Sequence, residues 1–477
     1  MKFLDVIDAS RIAAGGLKDF ATGLVNPTLR LGVTGLSRSG KTVFITALVH
    51  ALTKGARLPL FEAYAQGRIT RAYLEPQPDY DLPRFAYEDH LACLISKDRT
   101  WPESTRRISQ LRLTLEYEPR GLIARNFQSG KLHIDIVDYP GEWLLDLPLM
   151  NLTYRQWSEA TLAASHMEPR VGLAKQWHHH LATLDASAEA KELNAVKAAE
   201  LFTAYLGHCR KDDVALSGLL PGRFLMPGDF AGSPLLTFAP LEIKPDQKCP
   251  KGSLGFLMER RYDFYVSKIV RPFFFSHFAR LDRQIVLVDA LSALNAGPAA
   301  VQDLKNTLTQ VLACFRSGAN SIFSKVLGRR IDRILFAATK ADLLHQTSHD
   351  RLENILRLIV DDACARAEFS GAKIDVAALA AIRATREARV HQKNQDLPCI
   401  AGIPQNGETL GNITFYGQQE AAIFPGDLPA DSRDALDGTL QGKLKFLRFR
   451  PPSLKDGTFP HIRLDRTLEF LIGDRFP

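Results

Sequence analysis

The chain has 477 residues, 45% of them hydrophobic and 24% charged, proportions that exclude both a disordered chain and one small module. Sixty Lys and Arg against 53 Asp and Glu leave a net charge of +7, which permits anionic partners without requiring them. The six cysteines (Cys93, Cys209, Cys249, Cys314, Cys364, Cys399) are scattered without zinc or redox spacing and read as reduced thiols.

In the first 27 residues, Phe3, Leu4, Ile7, Ile12, Leu17, Phe20 and Leu24 fall at helical spacing. They predict an N-terminal helix packed on the body, with a lipid surface as the alternative partner. Asp5 and Asp8 interrupt what a secretory peptide needs, and no apolar run reaches membrane-spanning length, so a cytoplasmic location is expected.

Thr28 to Thr34 reads as a buried strand, Gly35-Leu-Ser-Arg-Ser-Gly-Lys-Thr42 follows, and Val43 to Thr53 is an apolar helical run. Strand, GxxxxGK[ST] loop and helix together predict a phosphate-binding loop (Walker A). Its glycines let successive N–H groups of Ser37, Arg38, Ser39, Gly40, Lys41, Thr42 and Val43 turn inward on phosphate oxygens. Lys41 would reach the β and γ phosphates, and Thr42 carries a hydroxyl suited to Mg²⁺.

Residues 51–104 mix aromatic and proline-rich pieces such as Tyr80-Asp-Leu-Pro-Arg-Phe-Ala-Tyr87 and read as a packed insertion leading into a first switch loop. That loop should carry a metal-binding threonine. Thr105 is preferred over Thr100 because it lies nearer the strand predicted over Arg106 to Tyr117. That strand and Lys131 to Asp138 should form a hairpin. Asp138-Tyr-Pro-Gly141 then places a metal-side carboxylate at a strand end and the Gly141 amide near the γ-phosphate.

Residues 146–282 read as largely helical, notably Ser187 to Lys211 and Leu257 to Arg280, a block suited to partner binding or nucleotide sensing. His178-His179-His180 read as surface histidines, since consecutive helical side chains point about 100° apart and share one ion poorly.

The core resumes with a strand at Gln284 to Asp289, a helix from Pro298 to Cys314 and a strand at Arg333 to Ala338, which ends in Thr339-Lys340-Ala341-Asp342. This [NT]KxD pattern suits guanine. Asp342 can accept from the ring N1–H and exocyclic amine while the Lys340 stem covers the ring face. A strand predicted at Ala378 to Arg383 would present Ala384-Thr385 to the guanine oxygen, with Thr385 as a plain helix cap the alternative. From residue 396 to 477 short strands and turns predict a small β-rich unit, including Ile413 to Tyr416, Leu444 to Phe449 and His461 to Leu464, capped by Thr467 to Leu471.

Alternating strands and helices imply an α/β fold, a P-loop NTPase core with a mostly parallel sheet, assembled from 28–50, 105–145 and 283–395. The ordered motifs resemble those of the translation-factor-like P-loop GTPases. With Asp138-Tyr-Pro-Gly-Glu-Trp143 and Phe424-Pro-Gly-Asp-Leu-Pro429 added, nearly the whole chain resembles the bacterial YcjX stress-protein family. The resemblance implies a cytoplasmic guanine-nucleotide (GTP/GDP) protein made under stress, peripheral to the inner membrane and often encoded beside an inner-membrane partner of the YcjF type.

The reading that follows is an Mg²⁺-dependent GTPase with Lys41, Glu142 and Arg38 as catalytic candidates. Two positions depart from small GTPases. Glu142 stands where a water-orienting glutamine is usual and adds repulsion beside a γ-phosphate, which predicts slow turnover. Arg38 stands in the loop where small residues are usual, as a finger in cis or a solvent-facing arginine. The rivals are a nucleotide-stabilised scaffold with negligible turnover and an ATPase. Nucleic-acid binding, suggested only by the charge and by Arg383, Arg386 and Arg389, is not expected without a recognisable module.

Overall fold

The computed structural model describes residues 27–36, 38–120, 130–211, 214–244, 246–314, 331–369, 371–392, 395–454 and 456–476. Residues 1–26 of the predicted N-terminal helix, and Ser37 of the phosphate loop, lie outside the described residues.

A seven-stranded sheet organises the fold. Its strands are β1 (Thr28–Gly35), β2 (Ile69–Glu75), β3 (Ser109–Tyr117), β4 (Gly130–Asp138), β5 (Arg283–Val288), β6 (Arg333–Ala338) and β7 (Lys373–Ala378), in the order β2-β3-β4-β1-β5-β6-β7. The five strands from β4 to β7 run parallel, while β2 and β3 form an antiparallel extension at the β4 edge. The burial follows that division. Every residue of β5 is buried, as both faces of a parallel strand require, whereas edge strand β2 contains no fully buried residue.

Helices cover both faces. On one face the Lys41–Lys54 helix presents Phe44, Ile45, Leu48, Val49 and Leu52, joined by Leu464, Leu468 and Leu471 of the Leu464–Ile472 helix. On the other, the helices Pro298–Cys314 and His349–Phe369 bury Leu304, Leu308, Ile355 and Ile359. The result is a two-sided α/β core, as the alternating pattern predicts. Because β1 lies between β4 and β5, the sheet reverses its winding at the carboxyl end of β1, where open α/β sheets place ligands.

The predicted β3–β4 hairpin pairs Tyr117 with Gly130 and Ser109 with Asp138. The 51–104 segment contributes β2 to the same sheet, so it extends the core as well as leading into the segment that carries Thr105.

Between η-turn Gly141–Asn151 and β5 lies a helical block. Its core is aromatic, built from Trp157, Trp177, Phe202, Tyr205, Phe238, Tyr262 and Tyr265. The helix expected over Ser187 to Lys211 spans Glu192–Cys209. The one expected over Leu257 to Arg280 runs without a gap from Leu254 to Ser276 but widens midway: Leu254–Tyr265, a π turn at Val266–Val270, then Arg271–Ser276. Pro272 has no N–H to donate, and the wider turn before it accommodates the missing bond. His178 stacks on His166 with ring centroids 4.3 Å apart and shares a hydrogen bond with Ser165.

Three strand expectations need correction. The strand expected over Ala378 to Arg383 is β7, Lys373–Ala378, and the apolar stretch beyond it is buried for another reason. Leu379 donates to Ala338, and Ala380 bridges to Ile462, so this run is packed between the sheet end and the C-terminal segment. Neither Leu444 to Phe449 nor His461 to Leu464 forms a strand; each makes one isolated bridge, at Phe449 and Ile462. The small antiparallel sheet instead pairs β8 (Arg386–Gln392) with β9 (Gln395–Gly402) and Ala421–Ile423, with a hairpin joining Thr409–Leu410 to Ile413–Thr414.

Candidate functional site

The carboxyl ends of β1, β4, β5 and β6 converge on one rim of the sheet. β1 ends at Gly35, and the loop turns back through a Ser39 N–H bond to the Leu36 carbonyl. Gly40 adopts φ 81°, a left-handed value that a side chain would strain, and Phe44 N–H then closes the first helical bond to its carbonyl. The helix start has no side-chain cap and no acidic residue in its first turn, which leaves its positive end facing the loop. Lys41 is buried and donates to the Gly35 carbonyl at 3.0 Å, so its ammonium lies across the loop mouth. Arg38 has φ 63° and is exposed. The Val43 side chain leans on a small apolar cluster with Ala47 and Leu94.

Thr42, Thr105 and Asp138 meet. The Thr42 and Thr105 hydroxyls are 3.1 Å apart, and Thr105 donates to Asp138 Oδ2 at 2.6 Å. Pairing of Ser109 with Asp138 brings the segment before β3 alongside the carboxylate. The Thr100 amide instead closes the end of a helix on the Cys93 carbonyl. Asp138 is buried, and its Oδ1 has no hydrogen-bond partner among the described residues; the same holds for Ser39 Oγ. Burial pushes the Asp138 carboxyl up to about 6, against the opposing pull of Lys41 and the Thr105 bond. A buried, half-partnered carboxylate with two hydroxyls beside it is a donor set that fits a hard divalent cation.

Gly141 is required sterically. A Cβ there would lie 1.9 Å from the Gly35 carbonyl oxygen, so the two backbones touch where phosphate would be gripped. Glu142 follows, buried, and accepts from Arg210 at 3.2 Å. The rest of this turn is locked into the helical block. Asp146 and Arg223 form a fully buried pair at 2.8 Å, and the Arg223 guanidinium lies 4.0 Å over the Trp143 ring.

Beyond β6, Thr339 and Asp342 are buried, and Lys340 takes φ 61°. Asp342 accepts the Ala384 N–H at 2.9 Å, while Thr385 Oγ1 donates to the Asp342 carbonyl at 2.5 Å. The five positions expected to read a base, Thr339, Lys340, Asp342, Ala384 and Thr385, therefore lie together, but the Ala384 amide is spent on Asp342, not left facing a ligand. Burial raises the Asp342 carboxyl to about 6, partly offset by that amide. Sequence reasoning gave no role to Asp289. It pairs with Lys340 at 2.5 Å and caps the Ala290–Ala296 helix through Ser292. Its only sequence signal was a carboxylate ending an apolar strand. Arg210, 68 positions from Glu142, gave none.

The profile of the YcjX-like family (DUF463) matches residues 29–476. The chain is 38% identical to the Ras-like GTPase YcjX of Escherichia coli K12 over 476 residues, covering 96% of this chain and 99% of that protein. It is 36% identical to the Ras-like GTPase YcjX of Shewanella oneidensis MR-1, covering 94% of each.

Proposed function

The chain belongs to the YcjX-like family, and from that membership and the site geometry we propose an Mg²⁺-dependent protein that binds guanine nucleotides and hydrolyses GTP as a switch. The observation that carries this reading is the contact between Thr42, Thr105 and Asp138 beside Lys41, with Asp138 Oδ1 left unpartnered among the described residues.

These three residues would hold Mg²⁺, which when bound supplies charge neutralisation on the phosphates. Lys41 supplies a buried positive charge at the loop mouth, and the free N–H groups of the Lys41–Lys54 helix add donors along the phosphate chain. The Gly141 N–H, in the segment packed against Gly35, would follow the presence or loss of a γ-phosphate. At the other end, Asp342 and Lys340 would select guanine over adenine, since adenine offers no donor pair to a buried carboxylate. GTP turnover should require Mg²⁺ and fall by about a hundredfold in Asp138→Ala. Turnover insensitive to EDTA and equal in both proteins would sink the reading.

A second reading, a nucleotide-stabilised scaffold, is favoured by Glu142, whose carboxylate is committed to Arg210 and not to an attacking water. Hydrolysis above background by wild type or Glu142→Gln excludes it. The family resemblance alone supports the further proposal of a stress-response role beside an inner-membrane partner of the YcjF type. Among the described residues no helix is long and apolar enough to cross a membrane.

A further inference from the structure

Glu142 and Arg210 do more than pair. Together with Leu36 and Arg38 of the phosphate loop, Asp289 and Ser217, they line a cavity of about 80 Å³ between the loop and the helical block. Arg210 enters from the block, at the end of the Glu192–Cys209 helix, and Glu142 enters from the turn after β4. The Glu142 side chain is 6% exposed and that of Arg210 31%, so the pair is shielded on one side only.

The backbone around Glu142 has no slack. A Cβ on Gly141 would fall 1.9 Å from the Gly35 carbonyl oxygen, and one on Gly222 would fall 1.7 Å from the Glu142 carbonyl oxygen. Phosphate loop, Gly141–Glu142 and helical block are thus stacked backbone on backbone. The buried Asp146–Arg223 pair, with Gly222 N–H donating to Asp146 at 2.7 Å, pins the same layer four residues on. The Glu142 backbone cannot move off the loop without displacing the block.

A γ-phosphate seated at the loop would therefore share its surroundings with the Glu142 carboxylate, a repulsion that grows as water is excluded. Of the other charges around this cavity, Asp289 holds Lys340, the nearby Asp303 holds Arg170 at 2.7 Å and the Ser217 and Gly218 amides, and Arg38 lines the wall on the loop side. Arg210 is the cation the geometry sets on Glu142.

We propose that Arg210 is a positioning residue by which the helical block senses the γ-phosphate: it neutralises Glu142 and so admits the triphosphate, coupling block and nucleotide state through one ion pair. This rests on the guanine-nucleotide reading above. With GDP the Arg210–Glu142 pair stays closed on itself. With GTP the guanidinium, which has several donors, turns between the carboxylate and the phosphate.

The test is affinity for GDP and for a non-hydrolysable β,γ-imido GTP analogue, in wild type, Arg210→Ala, Arg210→Lys, Glu142→Gln and the double variant Arg210→Ala/Glu142→Gln. Arg210→Ala should weaken the triphosphate analogue about tenfold while GDP affinity, which also reports an intact fold, stays within about twofold. The lysine variant should recover most of the loss. Removing the carboxylate in the double variant should restore triphosphate binding, because the repulsion goes with it. Equal losses for both nucleotides, an unchanged ratio, or a double variant no better than Arg210→Ala would overturn the proposal. Wild-type protein that binds neither nucleotide is a different failure, one of the site itself.

Discussion

The two ends of the site differ in how their polar atoms are satisfied. At the proposed base-reading end the groups satisfy one another: Ala384 donates to Asp342, Thr385 to the Asp342 carbonyl, and Lys340 to Asp289. At the phosphate end, Ser39 Oγ and Asp138 Oδ1 are buried without a hydrogen-bond partner among the described residues. The first end is preformed and must exchange bonds to take a ligand. The second stores unmet demand for charge and donors, at a cost of about 1–3 kcal/mol for each buried unsatisfied group. Affinity should therefore come mainly from the phosphates, and selectivity from the base.

The difference can be broken end by end. Lys41→Ala removes the buried ammonium that lies across the loop mouth, and guanine-nucleotide affinity measured by titration should fall about a hundredfold or more with the fold intact by circular dichroism. Unchanged affinity would rule out the assigned phosphate site. Asp342→Asn should weaken GTP and GDP by about thirtyfold while leaving any weak ATP binding as it was, since adenine makes no use of the carboxylate.

Acid should act on both ends. Asp138 and Asp342 are each raised to about 6 by burial, so protonation favours the ligand-free folded state as pH falls through 6 towards the unfolded carboxyl range. The ionised forms that ligands require are lost over the same window. Affinity at pH 5 should be lower than at pH 7.5 by about tenfold for each carboxylate that must be ionised. A flat profile from pH 7.5 to 5 would mean that neither carboxylate faces the ligand. Gly141→Ala should act on the fold itself, since its Cβ would press the Gly35 carbonyl at 1.9 Å. Chemical denaturation should show a loss of about 1–3 kcal/mol, with triphosphate affinity reduced more than diphosphate affinity.

Much of this site was legible because its motifs impose local backbone demands. Gly40 needs a left-handed φ, Gly141 needs the absence of a side chain, Asp138 is a charge ending an apolar strand, and Asp342 lies in the short turn that follows one. Each demand leaves a mark within a few residues. The unread part depends on packing between distant segments. Arg210 meets Glu142 only because the helical block folds back over the phosphate loop, and Asp289 meets Lys340 only because β5 and β6 are neighbours in the sheet. The seventh strand was set too late because Ala378 to Ile382 is apolar for a reason other than ladder pairing: its backbone is sealed by the segment around Ile462. The edge strand β2 was hidden for the converse reason, since a half-exposed strand carries no continuous apolar run.

The most direct test is calorimetric titration of nucleotide-free protein with GTP, GDP and ATP in the presence of Mg²⁺. The account predicts tight binding of both guanine nucleotides with ATP far weaker, the guanine affinity being lost in Lys41→Ala. ATP binding equal to or better than GTP would contradict it, and would mean that Thr339-Lys340-Ala341-Asp342 does not read a guanine base.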